Sequence, residues 1–334
     1  MIRSVEIKNL RGIREGSLSD LTPLVVLVGP NGAGKSTILD ALLIAANPRP
    51  PDAFGQAVQR REGVSIVAGA RWLLWKAGQE GQTEIHVGTD SYTRECTFSI
   101  AGSSKEHTAI QGAIRDQDAD GKSQQTPIQL GFPAGQLPGR YGFFKPLGDV
   151  PEVRFLDPRS VGLRTPLHQL YTKVVEQGLI QEVIANIQTL IPGVQDIKIL
   201  APEDVPVVYL IFADRAVPAA LAGDGIWLLL HLTFELAVQP GGLVLMEEPE
   251  AHLHPGAIRQ CARAILAAVR RNVQIVLSTH SLELIDFLLS ECRDDDLDQL
   301  SVYQVRLVEG VLKSSRLPGP DVAFSRSEIE DDLR

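Results

Sequence analysis

A chain of 334 residues can hold one large domain or two, and 44% hydrophobic with 22% charged residues is an ordinary globular composition. The net charge of −9 excludes a surface coated in positive charge, so any nucleic-acid contact needs a local basic patch or a partner. Three scattered cysteines, Cys96, Cys261 and Cys292, lack metal-ligand spacing; with no apolar signal core and no run near the ~20 apolar residues of a membrane helix, the expectation is a cytoplasmic protein without a membrane.

At the start, Val5 and Ile7 alternate with Ser4, Glu6 and Lys8, the period of a strand, and Asn9-Leu10-Arg11-Gly12-Ile13 turns the chain. The run Leu24 to Val28 predicts a buried strand. It delivers Gly29-Pro30-Asn31-Gly32-Ala33-Gly34-Lys35-Ser36-Thr37, the full Gly-x4-Gly-Lys-Ser/Thr pattern, and a helix over Ile38 to Ile44 that stops at Asn47-Pro48. Strand, glycine loop and helix make the setting for a phosphate. Backbone amides around the turn point at it, Lys35 reaches the β- and γ-phosphates, and Ser36 offers a hydroxyl to Mg²⁺. The pattern predicts binding of a nucleoside triphosphate.

From residue 51 to 151 the signal weakens. Val64–Val67, Thr83–Val87 and Cys96–Ile100 are expected as antiparallel strands, with Ala101–Gln125 and Gly131–Gly148 as polar, glycine-rich links. The absence of heptads argues against coiled-coil arms. The clusters Arg3, Lys8, Arg11 and Arg14, then Arg60-Arg61 and Arg270-Arg271, read as solvated surface.

Val153–Leu156 resumes strand character, and the spacing of Leu179, Ile180, Val183, Ile184, Ile187, Leu190 and Ile191 predicts a helix ended by Pro192-Gly193. Strands are expected at Ile197–Leu200 and Val207–Phe212, and an apolar helix at Ile226–Val238. Gly223, Asp224 and Gly225 precede that helix; they suit an anion seat, and a plain N-cap by Asp224 explains them equally. Leu243–Met246 then delivers Glu247-Glu248-Pro249-Glu250. Adjacent carboxylates at the end of an apolar strand are costly unless they face a metal or water. Glu247 is the candidate metal holder with Ser36, and Glu248 the candidate to orient or deprotonate an attacking water. After a helix opened by Pro255, Val273–Leu277 ends in Ser278-Thr279-His280-Ser281. His280 stands at a strand-to-helix junction, where open α/β sheets present ligand-facing groups, although a lone histidine is also often structural. His252 and His254 add no matching zinc ligand set. Asp294 to Asp298 reads as a solvated acidic loop.

Taken together and in this order, Ile7–Ile13, Gly29–Thr37, Gly223–Gly225, Glu247–Pro255 and Ser278–Ser281 resemble the ABC-type ATPase heads of the structural-maintenance-of-chromosomes (SMC), RecF and overcoming-lysogenisation-defect (OLD) group. The match covers residues 1–46 and about 150–290. It implies an α/β P-loop NTPase with a mixed sheet core and a smaller antiparallel β lobe, a single head over residues 1–334. Residues 1–150 would form the first lobe and 151–334 the second. The resemblance further implies two copies sandwiching two ATPs with Mg²⁺. Carried over, Gly29 to Thr37 is Walker A, Glu247 the Walker B acid, Glu248 the catalytic base, Glu250 to His254 the D-loop, and His280 the switch histidine near the γ-phosphate. Gly223-Asp224-Gly225 sits where the signature motif belongs and would cap the γ-phosphate on the other subunit. Family members usually have Asp-Glu where Glu247-Glu248 stands; the extra methylene implies slow hydrolysis. The transporter form Leu-Ser-Gly-Gly is absent. Gln129 and Gln136 are the candidates for the Q-loop. OLD nucleases carry a Toprim nuclease domain after the ATPase, and residues 290–334 leave no room for one.

The expectation is therefore an ATP-hydrolysing switch, a homodimer or larger homo-oligomer, that controls a separately encoded effector such as a nuclease or toxin in antiphage defence. The alternative is a RecF-like DNA-repair ATPase that binds duplex DNA itself.

Overall fold

The computed structural model describes residues 1–60, 63–135, 139–141, 150–157, 165–239, 241–329 and 332–333. The chain opens with the hairpin β1 (Ile2–Leu10) and β2 (Ile13–Ser19), then β3 (Leu24–Val28), α1 (Lys35–Ala45), α2 (Pro50–Gln59) and α3 (Ile66–Trp72). An antiparallel series comes next: β4 (Thr83–Thr89), β5 (Tyr92–Ser103), β6 (His107–Asp118), β7 (Ser123–Pro133) and β8 (Gly139–Tyr141). After it stand β9 (Val153–Leu156), α4 (Leu167–Glu176), α5 (Ile180–Gln188), the small-sheet strands β10 (Asp196–Leu200), β11 (Val207–Ile211) and β12 (Ala216–Pro218), and α6 (Asp224–Ala237). The remainder is β13 (Leu243–Glu247), α7 (Pro255–Arg270), β14 (Gln274–Ser278), α8 (Leu282–Glu291), α9 (Asp294–Leu297), β15 (Leu300–Val308), β16 (Val311–Pro318) and α10 (Gly319–Phe324).

One mixed sheet runs β8-β7-β6-β5-β4-β1-β2-β16-β15-β3-β14-β13-β9, and β10-β11-β12 form a separate antiparallel sheet. The fold is the expected α/β P-loop arrangement. Strands β9, β13, β14, β3 and β15 are mutually parallel. Parallel strands are covered on both faces, which is why β3 and β13 read as unbroken apolar runs. Val25, Leu27, Leu243 and Leu245 pack with α1 on one face, while Val26, Val28, Val244 and Met246 pack with α6, α7 and α8 on the other.

Several expectations need correction. Val64–Val67 is no strand: Ser65 is the N-cap of α3, its hydroxyl accepting from Ala68 N at 3.3 Å, so a local cap overrides β-branched propensity. The link at Ala101–Gln125 largely becomes strand, β6 and β7 pairing with Ile110 against Leu130 and Ile114 against Thr126; of Gly131–Gly148, residues 131–133 and 139–141 are strand, and residues 136–138 and 142–148 lie outside the described residues. Asp296, expected in a solvated loop, is 5% exposed in α9 and pairs with Arg270 at 2.5 Å. Arg60, expected on the surface, has a fully buried side chain.

The C-terminus of α1 is anchored by another buried cation. Arg94, on β5, donates from Nη1 to the carbonyls of Ala45 (3.1 Å) and Asn47 (2.6 Å) and pairs through Nε with Asp116 at 2.6 Å. A cation here meets the negative end of the helix dipole and fixes the helix against the antiparallel strands. Replacing Arg94 by Met should therefore cost about 3–5 kcal/mol, because it breaks a buried ion pair from one side; urea unfolding followed by circular dichroism measures it.

On α6, His231 is 2% exposed, edge-on to Trp227 with ring centroids 4.6 Å apart, and burial pushes its pKa down to about 4. The unfolded chain protonates near pH 6.5 and the folded one only near 4, so stability is full above 6.5 and falls as pH drops through that window. The loss should be about 2 kcal/mol, and His231→Phe should flatten it when urea midpoints at about pH 4.5 and 7 are compared.

Candidate active site

The parallel register brings three strand ends to one level. Ser278 of β14 lies beside Leu27 of β3 on one side and Glu247 of β13 on the other, and Thr279 N donates to Leu27 O at 3.1 Å. The segments leaving these strands therefore share one edge of the sheet. They are the loop Gly29–Gly34, the acidic turn and the histidine.

At Gly29 the backbone has φ 144°, and a Cβ would lie 2.2 Å from the carbonyl oxygen of Val305. No side chain fits there. Gly34 is the N-cap of α1 in the left-handed region, and no side chain bonds to the first turn. Thr37 N turns back to Gly34 O at 3.0 Å, and the glycine-capped helix start is a seat for an anion. Lys35 is 7% exposed, with Nζ donating to Gly29 O at 2.7 Å and Pro30 O at 3.2 Å. Burial lowers its pKa, against the opposing charges of Glu248, Glu247 and Glu250. A cleft of about 300 Å³ is lined by residues 31–37, Arg11, Gly12, Glu248, His280 and Leu307.

Ser36 Oγ donates to Glu247 Oε1. Glu248 has φ 48°, left-handed backbone that costs a non-glycine residue on the order of 1 kcal/mol or more. Its amide donates to Ser278 O at 2.9 Å, and Oε1 lies 3.7 Å from His280 Nε2. The strained turn sends the two adjacent acids to different places, Glu247 to the loop serine and Glu248 to the histidine. Gly223, Asp224 and Gly225 are not among the cleft residues. Gly223 is the N-cap of α6 and Asp224 its first residue, so Asp224 is not the cap, and Gly225 lies against His252, whose carbonyl oxygen would be 3.5 Å from an added Cβ. Gln129 is on the exposed side of β7, away from the cleft, and Gln136 lies outside the described residues.

Comparison with known proteins places this geometry. Residues 1–111 match the family model described as an AAA ATPase domain, and residues 173–286 the one described as an AAA domain, putative AbiEii toxin, type IV TA system. An uncharacterized protein of Methanocaldococcus jannaschii, MJECL11, is 31% identical over 113 residues, 34% of this chain and 98% of its own length. An ATP/GTP phosphatase of Helicobacter pylori is 21% identical over 89% of this chain and 90% of its own. The OLD nuclease of Thermus scotoductus is 26% identical over 92% of this chain, which spans 64% of that protein. Among solved structures, an SMC head bound to the C-terminal winged-helix domain of ScpA superposes over 95% of this chain and 97% of its own, with TM-score 0.53 at 15% identity, a likeness of fold. The matched models make the chain an ATPase, and its fold is that of an SMC head.

Sequence reasoning missed two features of the ATPase site. One is the bonding role of the half-buried Glu250. Its Oε1 accepts from Thr279 Oγ1 (2.5 Å) and from His280 N (3.1 Å), and burial raises its pKa. It ties the acidic turn to the backbone of the histidine. The other is a charge network behind Ser36. Asp40, fully buried on α1, pairs with Arg11 at 2.5 Å and Arg60 at 2.6 Å, and Arg60 also pairs with Glu247 at 2.5 Å. Asp40 falls in an apolar helix, and that was the available signal: a carboxylate on a buried helix face demands a cation.

A divalent cation fits here. A hard ion takes oxygen ligands, and a serine hydroxyl and a carboxylate oxygen already converge beside the glycine-capped helix start, the donor set for an ion that shares its shell with phosphate and water. Glu250→Ala removes the acceptor of two buried donors and should destabilise the ATPase by about 1–3 kcal/mol, whereas Glu250→Gln keeps Oε1 and should cost less; thermal unfolding of the two variants separates them.

Proposed function

We propose that this ATPase binds ATP with Mg²⁺ between two copies of the chain and uses turnover to switch a separately encoded effector. The supporting observation is the single cleft joining Lys35 and the loop 31–37 to Glu248 and His280, with Gly223–Gly225 outside it on the same chain. In this reading residues 29–37 hold the triphosphate, Lys35 neutralises its β- and γ-phosphates, and Ser36 and Glu247 hold the metal. The bound ion supplies charge neutralisation on the phosphate oxygens. Glu248 orients the water and accepts its proton, and His280, 3.7 Å from Glu248, faces the γ-phosphate. The head divides at about residue 150, and Gly223-Asp224-Gly225 of one copy reaches the nucleotide of the other, its glycine-capped helix presenting free amides. A match to a model described as an AAA domain, putative AbiEii toxin, type IV TA system supports a place in a toxin–antitoxin pair.

Direct duplex binding has less support. The basic residues it draws on are ion-paired: Arg3 with Asp90, Lys8 with Glu84, Arg270 with Asp296 and Arg271 with Glu182. No helix among the described residues is long and apolar enough to cross a membrane.

Glu248→Gln should lower phosphate release by about 10²- to 10⁴-fold while leaving ATP binding intact. With ATP present its mass by light scattering should double. Undiminished turnover removes Glu248 from the mechanism, and a variant that stays monomeric with ATP bound removes the sandwich.

A further inference from the structure

Arg60 follows α2 and is fully shielded from solvent, yet nothing in the proposed chemistry uses it. Its guanidinium faces three carboxylates. Nε and Nη2 lie 2.8 and 2.6 Å from Asp40 Oδ1, Nη1 lies 2.5 Å from Glu247 Oε2, and Asp157 Oδ2 is 3.9 Å from the same Nη1. The plane sits 4.1 Å over the ring of Phe155. Asp40 is held from its other oxygen by Arg11, so the Asp40 end of Arg60 is anchored independently of Glu247.

Glu247 Oε1 meets Ser36 while Oε2 meets Arg60. The carboxylate that the proposed function assigns to the metal is thus already compensated by a positive charge. A guanidinium and a divalent ion on one small carboxylate repel strongly in a shielded site, so one must yield unless further anionic ligands join. A triphosphate seated on residues 29–37 adds them. Arg60 has somewhere to go: its anchor on Asp40 persists, and Asp157 lies within a short swing of Nη1.

We propose, resting on that reading of the site, that Arg60 is a positioning residue that neutralises Glu247 from its other oxygen and makes divalent-ion binding conditional on the triphosphate. The chain alone compensates Glu247 with a guanidinium on Oε2, where the metal-bound complex adds an ion on the Ser36 side. Metal and nucleotide therefore enter as a pair, and the empty head does not load with free divalent ion.

The test uses Mn²⁺ as the probe, with free ion read by electron paramagnetic resonance on the full chain without nucleotide. Arg60→Gln is compared with wild type. The double variant Asp40→Asn/Arg60→Gln, which removes one buried charge of each sign, guards against a variant that fails to fold. Loss of Arg60 should tighten nucleotide-free Mn²⁺ binding by about 10- to 100-fold at one site. Adding Glu247→Gln should abolish that gain, and a non-hydrolysable ATP analogue should bring wild type and variant affinities together. Equal nucleotide-free affinity in wild type and both variants overturns the proposal. So does a tightening that survives Glu247→Gln. If wild type takes up no ATP analogue, the nucleotide reading fails, while the nucleotide-free comparison still decides the place of Arg60.

Discussion

The site depends on three parallel strands ending at one level. Because Ser278 is in register with both Leu27 and Glu247, the phosphate loop, the acidic turn and the histidine loop leave the sheet side by side. Parallel pairing permits this only when helices carry the chain back between strands, and α1 and α7 do so on opposite faces. The apolar residues of β3, β13 and β14 are thus the scaffold that converts three distant segments of chain into one cleft.

Around that cleft the energetics are those of buried charge. Glu247, Asp40, Arg60 and Arg11 form an alternating series, each carboxylate compensated by a guanidinium. Such a series contributes little net stability relative to an apolar core, since desolvation offsets attraction. It does fix geometry: Ser36, Asp40 and Glu247 are locked together at the start of α1, while Arg94 locks its end. The helix that opens at Lys35 is held at both ends by side chains from elsewhere in the chain. Glu250 does the same for the histidine loop, so the reactive edge is preorganised by contacts that individually do no chemistry.

The long antiparallel series β4 to β8 extends the sheet away from the site. Its strands alternate buried and exposed residues, Ile110 and Ile114 inward among polar neighbours, a weak signal along the sequence and a strong one once partners are registered. The strands β15 and β16 carried no expectation, although β15 lies beside β3 and supplies the Val305 carbonyl that packs against Gly29.

The sequence by itself determined the nucleotide loop, the acid pair, the strand-to-helix position of His280 and the α/β class. Each rests on short-range chemistry: glycines where no side chain fits, carboxylates at the end of an apolar run, and continuous hydrophobicity where a strand is covered twice. Only the tertiary structure decided that Arg60 is a buried partner of Glu247 rather than half of a surface pair, that Glu250 holds the histidine loop, and that polar links are paired strands. Those outcomes turn on which distant group lies opposite, and the pairing of a charge or the register of a strand is a property of two segments at once.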